Sequence, residues 1–578
     1  MKAVKGHKII IEKMAKKIVI VGGVAGGASV AARARRLDES AEVVMFEKGP
    51  NVSFSNCSLP FFLSRIVKES GDLVLMSPEQ FKKQYNIIAK TSHEVLKVNA
   101  DKKTVTVKDL TSGKEFDESY DTLVLSPGAS PVMPRSIPGI DKKHVFSVRN
   151  VVDIKKIDDY VTEHSVSDIV VVGGGFIGIE VAENFKLAGK NVTIVEKLDQ
   201  VLAPFDHDMA QILHKEMYDK GVALVLGDGI KEIGEKDITT ESGKKIAAGA
   251  VIMALGVRPE TELAKSAGVA LGATGGILVD HNYRTNVPDI YAVGDAVEVT
   301  HFITNKKTRL TLAGPAQREA RAAADDMYRI PHRNTGVIGS SVIRCFDFNA
   351  ACTGLNEKAC KDAGIDYEYV YVIPGDKVGL MPNANPLFFK LIFEKPSGAI
   401  IGAQAIGKGA VDKRIDVIAT CIMLHGTLED LKELELCYSP MFGTAKDVVN
   451  HAALVGLNIL NGVFKQVPVT KVRELVEQNA CIIDVREPKE YEAGHIVNAV
   501  NIPLSALRER MNEIPKDKPV YLHCRSSQRS YNAICALQGR GWKNVYNIMG
   551  SFLGVSEYEY FADKVQNRKP IVTAYNFN

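Results

Sequence analysis

A β-branched run, a glycine-rich turn, a helix-prone stretch and a second apolar run occur in that order twice along this chain. The first copy is Lys16–Val21, Gly22–Gly27, Ala28–Leu37 and Glu42–Phe46; the second is Asp168–Val172, Gly173–Gly178, Ile179–Ala188 and Asn191–Val195. Each reads as strand, turn, helix and strand, the opening of a doubly wound parallel sheet. A carboxylate follows both: Glu47 stands twenty residues beyond Gly27, and Glu196 eighteen beyond Gly178. Such a turn aims helix N-terminal N–H groups at a pyrophosphate, and the acid holds ribose hydroxyls. The first turn has Val24 where the usual pattern has its middle glycine, whereas the second matches throughout. One glycine turn alone is often only tight packing. Two in this context predict two dinucleotide sites, with Gly22, Val24, Ala25, Gly27 and Glu47 at the first and Gly173, Gly175, Gly178 and Glu196 at the second. A carboxylate at 196 repels a 2′-phosphate and favours NADH, while the adjacent Lys197 leaves NADPH open.

At 578 residues the chain is too long for a single core. Leu123–Pro138 holds four prolines and suits a crossover between units; after Thr335 the pattern turns to mixed strand and helix, with Phe388–Phe393 the clearest strand. Gly462–Val469 reads as a linker, and a small α/β unit restarts behind it with the strand Cys481–Val485. The expected division is 1–125 with 270–334, then 126–269, 335–462 and 463–578. A 46% hydrophobic and 24% charged composition is that of a globular protein, and a net charge of +3 gives no electrostatic case for nucleic acid or an anionic membrane. No apolar run reaches the roughly 18–20 residues that span a bilayer. Met1–Lys17 is basic, but its Ile9–Ile11 run lacks a cleavage pattern behind it, so it reads as an extension, with Met14 a candidate start. Nine cysteines do not form an extracellular disulfide framework, which points to a reducing cytoplasm. Cys345, Cys352 and Cys360 lack zinc spacing, so no metal is expected, and Cys421, Cys437, Cys481 and Cys535 read as small core residues.

Tyr291-Ala292-Val293-Gly294-Asp295 resembles the second flavin motif of the flavoprotein disulfide reductases with two dinucleotide domains, and Ser126-Pro127-Gly128-Ala129 resembles their connecting motif. The resemblance covers about 16–453. It implies FAD in the first and third segments of the chain (1–125 with 270–334), a nicotinamide cofactor in 126–269, and a homodimer through 335–462. It also implies cofactor contacts at Ser126, Gly128, Gly256, Gly294 and Asp295, and at Ala313 and Pro315 on a helix around Leu312–Arg318 beside the isoalloxazine ring.

Ser53-Phe54-Ser55-Asn56-Cys57-Ser58-Leu59-Pro60 follows the first unit, where a side chain reaches the flavin. The common disulfide reductases carry a second cysteine five positions on; here that position is Phe62. A single thiolate beside a flavin holds oxidation as a mixed disulfide, a persulfide or a sulfenic acid. It works best deprotonated, for which a helix N-terminus and a positive neighbourhood are suitable. The string resembles the single-cysteine branch of coenzyme A disulfide reductases, NADH-dependent persulfide reductases, and NADH oxidases and peroxidases. The peroxide-handling group has a histidine where this chain has Ala25, so the general acid for peroxide cleavage is missing. Resemblance to the coenzyme A branch implies substrate contacts at Ser29, Arg33, Arg36, Ser53 and Asn56, with coenzyme A itself a candidate ligand. The solvated-face reading of both arginines stays open. That branch also uses two tyrosines from the partner subunit. Tyr438 in Leu436-Cys437-Tyr438-Ser439-Pro440 matches one, but Gly379-Leu380-Met381-Pro382 has none where the other belongs. A persulfide or polysulfide, with HS⁻ as leaving group, needs less help from such a phenol.

Near the C-terminus, the strand Val520–His523 leads into Cys524-Arg525-Ser526-Ser527-Gln528-Arg529 and a helix over Ser530–Leu537. A cysteine opening such a turn sits in a cradle of backbone N–H groups that holds a negatively charged persulfide. The loop resembles the active loop of rhodanese sulfurtransferases, which implies roles for Cys524 and Arg529. Asp484-Val485-Arg486, Gly494-His495-Ile496 and Asn501-Ile502-Pro503 resemble further motifs of that family in order. Protein phosphatases have one more residue between cysteine and arginine. The expected fold class is therefore α/β: two Rossmann-like domains, an α+β dimerisation domain and a rhodanese-like α/β domain. The expected activity is FAD-dependent NAD(P)H reduction of a persulfide, polysulfide or coenzyme A disulfide, with fused sulfur transfer. An NADH oxidase with an accessory rhodanese domain is the alternative, and a sulfurtransferase regulated by its flavin half a further one.

Overall fold

The computed structural model describes residues 17–577; the reading of Met1–Lys17 as an extension and of Met14 as a start lies, but for Lys17, outside them. Two five-stranded parallel sheets lie at the centre of the first two units. In one the order is Ile290–Ala292, Thr122–Leu125, Lys17–Val21, Glu42–Phe46 and Ile88–Lys90. In the other it is Ala223–Leu226, Asn191–Glu196, Asp168–Val172, Ala250–Met253 and Val145–Ser147. The two central strands, KIVIV and DIVVV, are buried at every position after the first, as expected where helices cover both faces of a parallel sheet. Both glycine turns leave a carboxyl edge of these strands, where open α/β sheets bind ligands.

The helices behind the turns start earlier than their side chains suggest, at Ala25–Leu37 and Phe176–Leu187, because the turn glycines join the first helical turn. The proline-rich stretch passes from the first sheet to the second and contributes a short strand, Ala129–Pro131, antiparallel to Val257–Pro259. A third five-stranded sheet, this one antiparallel, is ordered Ser341–Cys345, Phe348–Gly354, Ile400–Gly407, Leu387–Glu394 and Tyr367–Val372. Helices Val411–Met423 and Val448–Leu460 share its apolar core. The fourth sheet is parallel: Lys465–Val467, Val545–Ile548, Val520–His523, Cys481–Asp484 and Val500–Asn501. The stretch read as a linker, Gly462–Val469, is corrected by this pairing. Lys465–Val467 is the edge strand of the last sheet, too short for its alternation to show. Among the described residues no helix is long and apolar enough to cross a membrane.

The C-terminal unit is docked against two others. Asn458 Nδ2 donates to the Tyr531 hydroxyl at 3.2 Å, and Gln466 Nε2 to the Tyr369 carbonyl at 3.1 Å. On another side, helix Ser551–Gln566 lies along His207–Asp219, with ring pairs His214–Phe561 at 5.1 Å and His207–Tyr558 at 5.8 Å. Glu557 is buried in this seam. Its carboxyl is pushed up to about 8 by burial, a rise opposed by Lys215 and reinforced by Asp219 and Glu216. An acid raised in this way contributes its stability below its unfolded range and loses it as pH climbs towards 8. Glu557→Gln should therefore stabilise the chain by on the order of 2–4 kcal/mol at pH 8 and have little effect at pH 5. Thermal melts at the two pH values check this; an equal shift at both would remove the titration as cause.

Candidate active site

Both glycine turns are closed by backbone that leaves no room for a Cβ at their first and last glycines. A Cβ on Gly22, at φ +98°, would lie 2.0 Å from the Ser126 carbonyl oxygen, and one on Gly27 would lie 1.9 Å from that of Gly22. In the second turn Gly173, at φ +111°, faces the Ala254 carbonyl at 2.4 Å, and Gly178 faces that of Gly173 at 2.0 Å. A Cβ at Gly175 meets nothing within 4 Å, which leaves that backbone open to a close approach. The two acids are held alike. Glu47 accepts the Gly23 N–H at 2.9 Å and the Gly49 N–H at 2.8 Å. Glu196 accepts the Gly174 N–H at 2.6 Å and the Leu198 N–H at 2.8 Å. A packed turn and an anchored acid fit a dinucleotide at each site, and the second adds an open middle at Gly175.

Val24 is the N-cap residue of the first helix and Ala25 opens it, so the valine in the turn costs no helical hydrogen bond. Gly128 and Gly256 both take left-handed backbone, at φ +73° and +90°. The Gly294 N–H donates to Glu319 Oε2 at 2.7 Å, and burial pushes that carboxyl up to about 7. Asp295 is likewise raised by burial, against the pull of Arg149. The helix expected around Leu312–Arg318 runs over Ala313–Met327. Pro315 in its first turn lines a cavity of about 590 Å³ that reaches Asp416 and Met423 of the third unit.

Cys57 is the middle residue of the 3₁₀ turn Asn56–Ser58 and open to solvent on one side. Protein crowding it on the other raises the thiol, and the carboxylates of Glu180 and Asp295 push the same way. In place of the positive neighbourhood that suits a thiolate, this chain sets two acids by Cys57, and its 3₁₀ turn runs into the short helix Pro60–Leu63. Neither acid was visible from the local sequence, being 123 and 238 residues away. Glu180 stands two residues after Gly178, and burial followed by Glu183 pushes it up to about 7. An acid so soon after a glycine turn was the one signal for it.

Ser29, Arg33 and Arg36 share one face of the first helix. Arg33 is not the free phosphate partner of the sequence reading, because Asp325 Oδ1 holds its Nε at 2.6 Å and its Nη2 at 2.5 Å. Arg36 is exposed and lies over the Tyr85 ring at 5.8 Å. Ser53, at φ +49°, donates its N–H to the Gly23 carbonyl, joining the Cys57 loop to the first glycine turn, and Asn56 is exposed. Tyr438 stands on an exposed segment with Met441 and Phe442, which are 52% and 74% exposed, and Leu380 is 89% exposed. Cys437 and Cys535 are exposed and Cys481 half-buried, so the core reading holds only for Cys421 among those four.

Cys524 directly follows the strand Val520–His523 and is buried. Arg529 forms a bidentate pair with Glu490, at 2.6 and 2.7 Å, and its charge is held by that carboxylate first and by Cys524 as well. Glu490 was missed, lying outside every motif read. Beneath the loop Arg486 bonds Asp484 at 2.6 Å and the Gly494 carbonyl at 2.7 Å, so two of the expected motifs form one buried brace. The hydroxyl of Ser530 reaches Cys524 Sγ at 3.7 Å and Asn547 Oδ1 at 2.7 Å.

Asp206, Asp208 and Glu357 have metal-like spacing, but an ammonium occupies their centre. Lys390 Nζ lies 3.1 Å from Asp206, 2.9 Å from Asp208 and 2.6 Å from Glu357. Burial opposes that charge, yet Asp208, Asp206, Tyr369 and Glu357 hold it well above the ordinary lysine range.

Two dinucleotide turns, a lone cysteine anchored beside the first and a cysteine loop in a separate parallel-sheet unit define a flavin-dependent oxidoreductase of sulfur joined to a sulfur-carrying module. The chain matches the pyridine nucleotide-disulphide oxidoreductase family over residues 16–320, its dimerisation domain over 341–448 and the rhodanese-like domain over 469–558. A coenzyme A disulfide reductase of Staphylococcus epidermidis is 35% identical over 435 residues, 75% of this chain and 98% of that protein. The reduced Bacillus anthracis CoADR-RHD structure is 43% identical, with a TM-score of 0.91 over 95% of this chain and 98% of that one. A NAD-dependent persulfide reductase from A. fulgidus is 34% identical, with a TM-score of 0.88 over 93% of this chain and 99% of that one. This chain belongs to the pyridine nucleotide-disulphide oxidoreductases, among the coenzyme A disulfide reductases, and carries a C-terminal rhodanese domain. FAD and NAD(P)H are the cofactors of that family.

Proposed function

We propose that the protein reduces the sulfur–sulfur bond of a persulfide, a polysulfide or coenzyme A disulfide with electrons from NADH, and that Cys524 carries sulfane sulfur for the same metabolism. One observation carries this reading: a single cysteine with no cysteine partner at Phe62 is anchored through Ser53 to the first glycine turn. Gly22, Gly27, Glu47, Gly294 and Asp295 would hold FAD; Gly173, Gly175, Gly178 and Glu196 would hold the nicotinamide cofactor. When bound, FAD passes two electrons from the reduced nicotinamide to sulfur. The Cys57 thiolate attacks one sulfur of the substrate, forms a new S–S bond to it and expels the other as hydrosulfide or thiolate. Two electrons and a proton then cleave that bond, releasing a thiol and restoring the thiolate. In a homodimer, Tyr438 would hydrogen-bond the expelled sulfur across the interface. The exposed apolar segment around Met441 and Phe442 supports such an interface. The free thiols fit a reducing cytoplasm.

Persulfide and polysulfide are favoured over coenzyme A disulfide by the missing second tyrosine and by the tie of Arg33 to Asp325. Against the oxidase alternative stand Ala25 and the docked rhodanese domain. The test is steady-state turnover with NADH, comparing coenzyme A persulfide, polysulfide, coenzyme A disulfide and oxygen. Turnover with a persulfide well above that with oxygen is expected; oxygen as the fastest acceptor would reverse the assignment.

Preference for NADH rests on Glu196, whose carboxylate is fixed by two N–H donors, while Lys197 is turned to Glu241 at 3.0 Å and does not offset it. Glu196→Ser should lower the NADH-to-NADPH ratio of kcat/KM by about tenfold, an amount set by one removed carboxylate–phosphate repulsion. An unchanged ratio would place the discrimination elsewhere.

A further inference from the structure

Two serines of the rhodanese domain adopt left-handed backbone, a conformation that favours glycine: Ser527 at φ +78° and Ser551 at φ +52°. They belong to different elements, the first capping helix Gln528–Gln538 and the second opening helix Ser551–Gln566. Their hydroxyls nevertheless meet at 3.2 Å, beside Cys524. A strained position is kept where its side chain is needed. Ser551 is fully buried, and its Oγ accepts the Cys524 N–H at 3.1 Å. The same helix start donates the Phe552 and Leu553 N–H groups to the Cys524 and Arg525 carbonyls, each at 3.0 Å. The loop is thus held from the helix on both sides of the nucleophile.

The hydroxyl protons show what this arrangement does. Ser530, also near the sulfur, commits its proton to Asn547 Oδ1 at 2.7 Å. Ser527 donates to the Ile548 carbonyl at 3.2 Å. Among the described residues Ser551 has that carbonyl at 3.4 Å, the Ser527 oxygen at 3.2 Å and Cys524 Sγ at 4.0 Å to choose from. With Ser527 the nearer donor to the Ile548 carbonyl, the Ser551 proton is the one left to turn. A neutral thiol is a weak acceptor, whereas a charged sulfur makes a charge-assisted bond of about twice the strength. When the Ser551 proton turns, the Ile548 carbonyl keeps the one from Ser527, so no buried group is orphaned.

We propose that Ser551 is a positioning residue for the Cys524 sulfur: it fixes the cysteine backbone and turns its hydroxyl onto that sulfur when it is a thiolate or a persulfide, with Ser527 keeping the hydroxyl oriented. The proposal rests on the reading of Cys524 as the sulfur carrier. The test uses the full-length protein and iodoacetamide, following alkylation of the Cys524 peptide by mass spectrometry at pH 6 and pH 9.5. The buried sulfur reacts slowly in every form, so ratios are read. Ser551→Gly, whose backbone suits glycine, should react about tenfold more slowly than wild type at pH 6 and equally at pH 9.5, the loss of one charge-assisted bond to the thiolate. Ser551→Ala should give the same pattern and decides the matter if the glycine variant fails to fold. Ser527→Gly should slow the pH 6 reaction by less than about threefold, since Ser551 remains. Equal rates at pH 6, or equal slowing at both pH values, would overturn the proposal, the second showing a purely structural role. Thiosulfate-to-thiol transfer by the wild type is measured beside it. Its absence would reject Cys524 as sulfur carrier, while the alkylation ratios still decide Ser551.

Discussion

Cys57→Ser should lower NADH-dependent reduction of a persulfide by roughly a thousandfold or more, because a hydroxyl neither attacks divalent sulfur nor stores the oxidised intermediate. The same variant should transfer sulfur from thiosulfate to a thiol within about twofold of wild type, since Cys524 lies in a separate sheet with its own ion pairs, Asp484–Arg486 and Glu490–Arg529. Cys524→Ser should give the mirror image: thiosulfate transfer lost by a comparable factor and NADH oxidation by a small persulfide retained. Paired steady-state assays on the two variants and wild type settle the division of labour. Equal loss of both activities in either variant would show that the two cysteines act in one obligatory sequence. Full NADH turnover in Cys57→Ser would remove that residue from the chemistry altogether.

Lys390→Met should destabilise the chain by about 3–5 kcal/mol, the usual cost of stripping one partner from a buried ion cluster. Lys390 has no exposed side-chain surface, and its ammonium is shared by Asp206 and Asp208 of the second unit and Glu357 of the third. Without it the carboxylates must take up protons. Asp206 is already raised by burial and is held down chiefly by Lys390. The variant should therefore lose more stability at pH 8 than at pH 5, where protonation relieves the repulsion. Adding Asp208→Asn should recover part of the loss. Thermal unfolding of the single and double variants at both pH values checks this; a loss of under 1 kcal/mol at pH 8 would mean that water, not lysine, solvates these acids.

The metal-like geometry of the three acids and its filling by a lysine could not be read from the chain. Asp208 and Lys390 are 182 residues apart and lie in different units. The same distance problem hid the acids around Cys57. The sequence around that cysteine has no ionisable side chain between Val52 and Ser64, so its local composition carried no warning that Glu180 and Asp295 would face it. Arg33 shows the converse. Its position on the helix face was legible from spacing, but its partner Asp325 comes from a helix almost 300 residues on.

By itself the sequence determined the two glycine turns with their acids, the solitary Cys57 and the Cys524 loop. Each is a local grammar in which backbone geometry, helix start and ligand-facing atoms lie within a few dozen residues. Tertiary structure alone decided which charges surround each sulfur, that the C-terminal unit is docked by an aromatic seam and not tethered, and that the left-handed serines at 527 and 551 meet over Cys524. Those outcomes depend on contacts between distant segments. Their energies arise only once burial removes water and makes each unpaired group costly.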